Sequence, residues 1–171
     1  VRDTISSDGE GNFGHGMQVI FGALVNVDRA LFEGNRECAV LVGGPNARLY
    51  LVNTTIAGTR RSACYPDDCP TGGGGSGLVA IGGGLINASH FLVDGNTLCG
   101  VQLAQGRDAD DVLYTTSGVL DLSQGIISRQ PIGANVQSET FDLNRITEDV
   151  IYLDNDRNLD SSYLPVPPPG L

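Results

Sequence analysis

The chain has 171 residues, 40% of them apolar, which suits one domain with a substantial core and argues against disorder. No apolar run approaches the roughly 20 residues that a membrane helix needs. The net charge is −10, from 20 acidic residues against 10 basic ones, all of them Arg, so no basic stripe exists for nucleic acid or an anionic membrane. With 24 Gly, 8 Pro and no Trp, the composition favours short strands and many turns over packed helices.

The first four residues, Val1 to Thr4, read like Ile56 to Thr59. Each stretch runs into a polar, Gly-rich loop and then a Gly-x-Gly strand start. The chain is therefore expected to enter partway through a structural unit. Three explanations stay open: earlier units were removed, another segment covers this end, or these residues act as a cap.

From Gly14 the sequence repeats itself. Gly14–Val40 aligns without gaps to Gly75–Val101, 61 residues further on. Gly14, Gly16, Ile20, Gly22, Leu24, Asn26, Leu31, Gly34, Asn35, Cys38 and Val40 are identical to their partners. A shorter period lies inside the long one. Four segments, "ALVNVDRALFEGN" from Ala23, "ARLYLVNTTIAGT" from Ala47, "GLINASHFLVDGN" from Gly84 and "GVLDLSQGIISRQ" from Gly118, can be written under one another. Their third position holds Val25, Leu49, Ile86 and Leu120; their fifth holds Val27, Leu51, Ala88 and Leu122. Their seventh is always polar (Arg29, Asn53, His90, Gln124) and their last is Asn35, Thr59, Asn96 or Gln130. A second short strand precedes each: "GMQVI" from Gly16, "AVLVG" from Ala39, "GLVAI" from Gly77, "GVQLA" from Gly100, and "GANVQ" from Gly133 at the end of the series. Met17, Val40, Leu78, Val101 and Ala134 share one inward column; Val19, Val42, Ala80, Leu103 and Val136 share another. The column between them, Gln18, Leu41, Val79, Gln102 and Asn135, is nearly uncharged and is expected to face outward as a strip for a partner or neighbouring module.

Each unit, at roughly 20 to 27 residues, is too small to bury its apolar column alone; stacking units about 4.8 Å apart solves this by pairing every strand with its copy above and below. The pattern resembles the right-handed parallel β-helix of the pectate-lyase-like superfamily, and most of all the repetitive β-helical segments of bacterial secreted and surface proteins. The resemblance covers about Gly14 to Gln137 and fades over Ser138 to Asp160, where "VIYLDN" from Val150 reads as one last strand and turn. It implies an all-β, single-stranded right-handed parallel β-helix (a solenoid) of about five to six turns over residues 1–160, either complete or a fragment of a longer one. Residues 161–171, ending "LPVPPPGL", are expected as a Pro-rich tail or linker outside the core.

Two loops interrupt the pattern. In "RRSACYPDDCPTGGGG" from Arg60, Cys64 and Cys69 are five apart and are expected to form a local disulfide, as suits an exported protein. Cys38 and Cys99 share a column two units apart, about 9 to 10 Å, which is beyond disulfide reach, so both are expected to be reduced. In "GRDADDVLYTT" from Gly106, Asp108, Asp110 and Asp111 are the candidate ligand or calcium loop, since calcium takes six to eight oxygen ligands. Pectate lyases use calcium with an Arg base, and Arg107 is adjacent. "FGHGM" from Phe13 is similar to the Gly-His-Gly of polygalacturonases, but that family's Lys is missing and no Asp-Asp pair precedes the motif. His15 and His90 are thus read as structural. Tyr50, Tyr65 and Tyr114 are the aromatics placed for sugar stacking.

The expected function is a non-enzymatic structural or binding module of an exported bacterial surface protein, extracellular or at the cell surface: a rigid spacer, an adhesion surface or an interaction surface. The expected partners are neighbouring domains of a longer chain, another surface protein or glycans. No catalytic residue, resident cofactor, nucleic-acid partner or membrane insertion is expected. The alternative is a carbohydrate-active enzyme or carbohydrate-binding domain, lyase- or hydrolase-like, using loop 106–116.

Overall fold

The computed structural model describes residues 1–4, 14–62, 74–107 and 112–166. Among the described residues the chain is all-β apart from one helical turn. In order it forms β1 (Met17–Val19), β2 (Leu24–Asp28), β3 (Leu31–Glu33), β4 (Cys38–Gly43) and β5 (Arg48–Ala57). Then come β6 (Ser76–Ile81), β7 (Leu85–Asp94), β8 (Cys99–Ala104), β9 (Val119–Ser123), β10 (Gly125–Ser128) and β11 (Ile132–Val136). The chain continues through α1 (Asn144–Thr147), β12 (Val150–Leu153) and β13 (Arg157–Asp160).

These strands form two parallel sheets, visited alternately. Sheet I has the order β1-β4-β6-β8-β11-β13. Sheet II has the order β12-β10-β7-β5-β2, with β3 beside β5 and β9 beside β7. Every strand-to-strand pairing in them is parallel, and the registers match the sequence columns residue for residue. Val25, Leu49, Ile86 and Leu120 are consecutive partners across sheet II. Met17, Val40, Leu78, Val101 and Ala134 are consecutive partners across sheet I. The inward residues of both sheets meet in one core, where Leu49, Leu51, Leu78, Ile86, Leu103 and Leu120 are fully buried. An antiparallel sandwich is excluded by the pairing itself.

The corners explain two further columns. Arg29, Asn53, His90 and Gln124 all have positive φ, at 56°, 54°, 52° and 52°. A left-handed corner disfavours branched side chains, so polar residues fill it. The last column points inward as a polar file. The Thr59 amide donates to Asn96 Oδ1 (3.0 Å), and Asn96 donates from its amide (3.3 Å) and Nδ2 (2.9 Å) to Gln130 Oε1. The Gln130 amide in turn donates to Asn155 Oδ1 at 3.3 Å. Asn35, Thr59, Asn96 and Gln130 are all buried, and hydrogen bonds join the file from Thr59 through Asn96 and Gln130 to Asn155, while Asn35 Nδ2 and the Thr59 hydroxyl are buried without partners. Opposite this file the strand backbone comes close: a Cβ on Gly100 would stand 2.5 Å from Gln130 Nε2.

The two ends differ. Val1–Thr4 lies along β3, with the Asp3 amide on the Glu33 carbonyl (2.9 Å) and the Glu33 amide on the Val1 carbonyl (3.0 Å). Thr4 donates to Asn35 Oδ1 at 3.1 Å, so Thr4 takes the same place as Thr59. At the other end α1 packs on β9. Ile146 is fully buried, and Arg145 grips Asp121 through Nε (2.5 Å) and Nη2 (2.6 Å). The expected last strand at Val150 exists as β12, and β13 follows it.

One expectation is corrected. The column Gln18, Leu41, Val79, Gln102 and Asn135 is not an exposed strip: Leu41, Val79, Gln102 and Asn135 are each 0% exposed. The described part of the segment after Asp160 belongs to no strand. Residues 162–166 lie against the outer face of sheet I, where Asn135 Nδ2 donates to the Ser162 carbonyl at 2.9 Å.

Candidate functional site

The outer face of sheet I carries the two free cysteines together with buried Ser76, Gln102 and Asn135. Its floor is a cluster of Cys38, Leu41, Val79, Ile81 and Ala104, against which Tyr114 and Val166 pack. Tyr114 lies on Gly82, where any side chain would collide with its ring. This aromatic is thus part of the packing and not a platform for sugar.

One edge of the face carries a thiol, an imidazole and a carboxylate. Strand register puts His15, Cys38, Ser76, Cys99 and Ile132 in one column. His15 Nε2 is 3.0 Å from Glu37 Oε2, and the two side chains are 5% and 8% exposed. Gln18 Nε2 is 2.9 Å from His15 Nδ1. Burial opposes a charge on His15, but the neighbouring Cys38 and Glu37 outweigh it and push the imidazole up to about 10. A charged imidazole donates from both nitrogens, so in that state the Gln18 carboxamide presents its oxygen to Nδ1. Thiol, imidazole and carboxylate in this order match a nucleophile, a base and an orienting group. Cys38, however, is 0% exposed, so no substrate reaches its sulfur.

Further along the column, Ser76 Oγ lies 3.2 Å from Cys99 Sγ and donates to Gln102 Oε1 at 3.0 Å. Burial pushes the Cys99 thiol up to about 12, the Ser76 contact opposing it only in part. Cys38 and Cys99 are both free, with Ser76 as the strand partner of each. The stacking order requires this separation. At the far edge, Gln102 Nε2 donates to the carbonyls of Leu164 (3.4 Å) and Pro165 (3.3 Å). Gln137 Nε2 donates to the Leu164 carbonyl at 3.0 Å.

The residues singled out in the sequence fall elsewhere. Cys64 and Cys69, the expected disulfide, lie outside the described residues, as do Tyr65 and Asp108, Asp110 and Asp111 of the acidic loop. Arg107 bridges to Leu113 at the neck of that loop. Among the described residues, no group of three or more His, Cys, Asp or Glu is arranged to hold a metal. Tyr50 stands on the outer face of sheet II, 37% exposed. His90 is an exposed corner residue, as its column implies. No described helix is long and apolar enough to cross a membrane.

The clasp of carboxamides on the C-terminal segment was missed in the sequence. Two signals pointed to it: an uncharged column rich in Gln and Asn, and a terminal segment with apolar Leu164 and Val166 between prolines. No protein-family model matches the chain, and neither a curated protein nor a solved structure matches it.

Proposed function

We propose that the chain is a right-handed parallel β-helix module of an exported surface protein, acting as a stiff spacer and interaction surface without catalysis. The observation that carries this reading is the unbroken match of sequence columns to strand partners in both sheets. A chain that alternates between two parallel sheets and always lands beside its previous strand advances as a coil. β1–β3, β4–β5, β6–β7, β8–β10 and β11–β12 form its successive passes, and β13 opens another. Parallel crossovers between neighbouring strands are right-handed in almost every known case, which supports the right hand. Such a rod gains stiffness from every added pass, while its loops vary freely. The local Cys64–Cys69 pair fits an oxidising compartment.

The packing supports a scaffold over an enzyme. The described thiol–imidazole–carboxylate group is sealed, and Tyr50 has no second exposed aromatic in its column, whose other members are Asn26, Asn87 and Asp121. A glycan-array screen in calcium and again in a chelator tests the reading. The expected result is no calcium-dependent signal. A reproducible signal lost on changing Asp108, Asp110 and Asp111 to Asn would replace the scaffold with the carbohydrate-directed alternative.

A further inference from the structure

The outer face of sheet I holds a proline-containing segment, residues 162–166, without strand pairing. Pro165 has no N–H to give, and sheet extension requires one. The face instead offers donors: Gln102, Asn135 and Gln137 each point a carboxamide nitrogen at a main-chain carbonyl, of Leu164 and Pro165, Ser162, and Leu164 respectively. Beside them Val166 sits on the apolar floor that includes Leu41 and Val79. Gln102 and Asn135 are 0% exposed, a state that is costly for carboxamides without acceptors. None of these contacts reads a side-chain polar group of the bound segment. They read free carbonyls and small apolar side chains, the features of a polyproline-type strand.

We propose that this face is a binding groove for extended proline-rich peptide segments, and that residues 162–166 are its occupant in cis. Any segment that presents two or three unpaired carbonyls followed by a small apolar residue and a proline-enforced extended backbone fits the same donors. The covalently attached segment competes at high effective concentration, so a free peptide binds well only when the attached one is displaced. The inference goes beyond the scaffold reading and stands on the packing of residues 162–166 alone.

The test uses the full chain and a fluorescein-labelled peptide with the sequence of Leu164–Leu171. In a full-length Val166→Asp chain, which places a carboxylate on the apolar floor, the peptide is expected to bind saturably, at least about tenfold tighter than in the unsubstituted chain. Adding Gln102→Leu and Gln137→Leu to that chain, the two donors to the Leu164 and Pro165 carbonyls, is expected to weaken binding by about tenfold or more. A peptide with every proline replaced by Ala should also bind about tenfold more weakly. Circular dichroism and urea midpoints establish that each variant is folded. A second measurement needs no substitution: chymotryptic cleavage after Tyr163, which is 86% exposed, should accelerate when unlabelled peptide is added in excess. No binding to the folded Val166→Asp chain, equal binding after the Gln102 and Gln137 changes, equal binding of the Ala peptide, or an unchanged cleavage rate would each overturn the proposal.

Discussion

His15 joins two elements through its charge. Its ordinary value is 6.5, and in the fold it is raised to about 10, so the folded state holds a proton that the unfolded chain releases. The resulting stabilisation is present in full below about pH 6.5 and is lost as pH rises through about 10. The urea midpoint is therefore expected to fall across that window, and His15→Gln should flatten the fall. An equal slope in the variant would mean that other groups govern it. Thr59 offers the opposite case. Its amide is satisfied by Asn96, but its hydroxyl is buried without a partner. Replacing it with Val removes an unpaid desolvation cost and keeps the shape. Thr59→Val is expected to raise stability by about 1 kcal/mol in urea unfolding.

Neighbouring strands are fitted by size as well as by register. In the column that follows the corner, Phe91 of β7 lies beside Gly125 of β10, and a methyl group on Gly125 would run into the Phe91 ring. Gly125→Ala is expected to destabilise the fold by about 1–3 kcal/mol, and Phe91→Leu in the same chain should restore part of the loss. Urea titration of the single and double variants measures this coupling. The strands and their partners were legible in the sequence because apolar period-2 columns and positive-φ corners leave a direct trace in residue type. The helix α1 was not, since four residues from Asn144 to Thr147 carry too little periodicity to register. The clasp on residues 162–166 was half legible. An outward column of Leu, Val, Gln and Asn suits either a partner or the chain's own terminus, and only the fold shows which of the two occupies it.

For the whole molecule, most pairings bind each pass to the one before and the one after, so stability accumulates along the stack. Amide exchange is expected to be slowest in β5, β6 and β7, which have neighbours on both sides and carry the polar file through Thr59 and Asn96. It should be fastest in β1, β2 and β13, each of which has one described strand neighbour. Uniform protection along the chain would contradict this nearest-neighbour picture.

The repeat of Gly14–Val40 at Gly75–Val101 has a geometric corollary. A block that starts and finishes in the same register can be inserted again without altering any contact outside it, because the next residue always meets the environment that its predecessor left. Each such block adds two passes, and so two strand spacings or about 10 Å, to the stack. Lengthening by a fraction of a pass would offset the Asn and Gln file from itself, with buried amides meeting aliphatic neighbours.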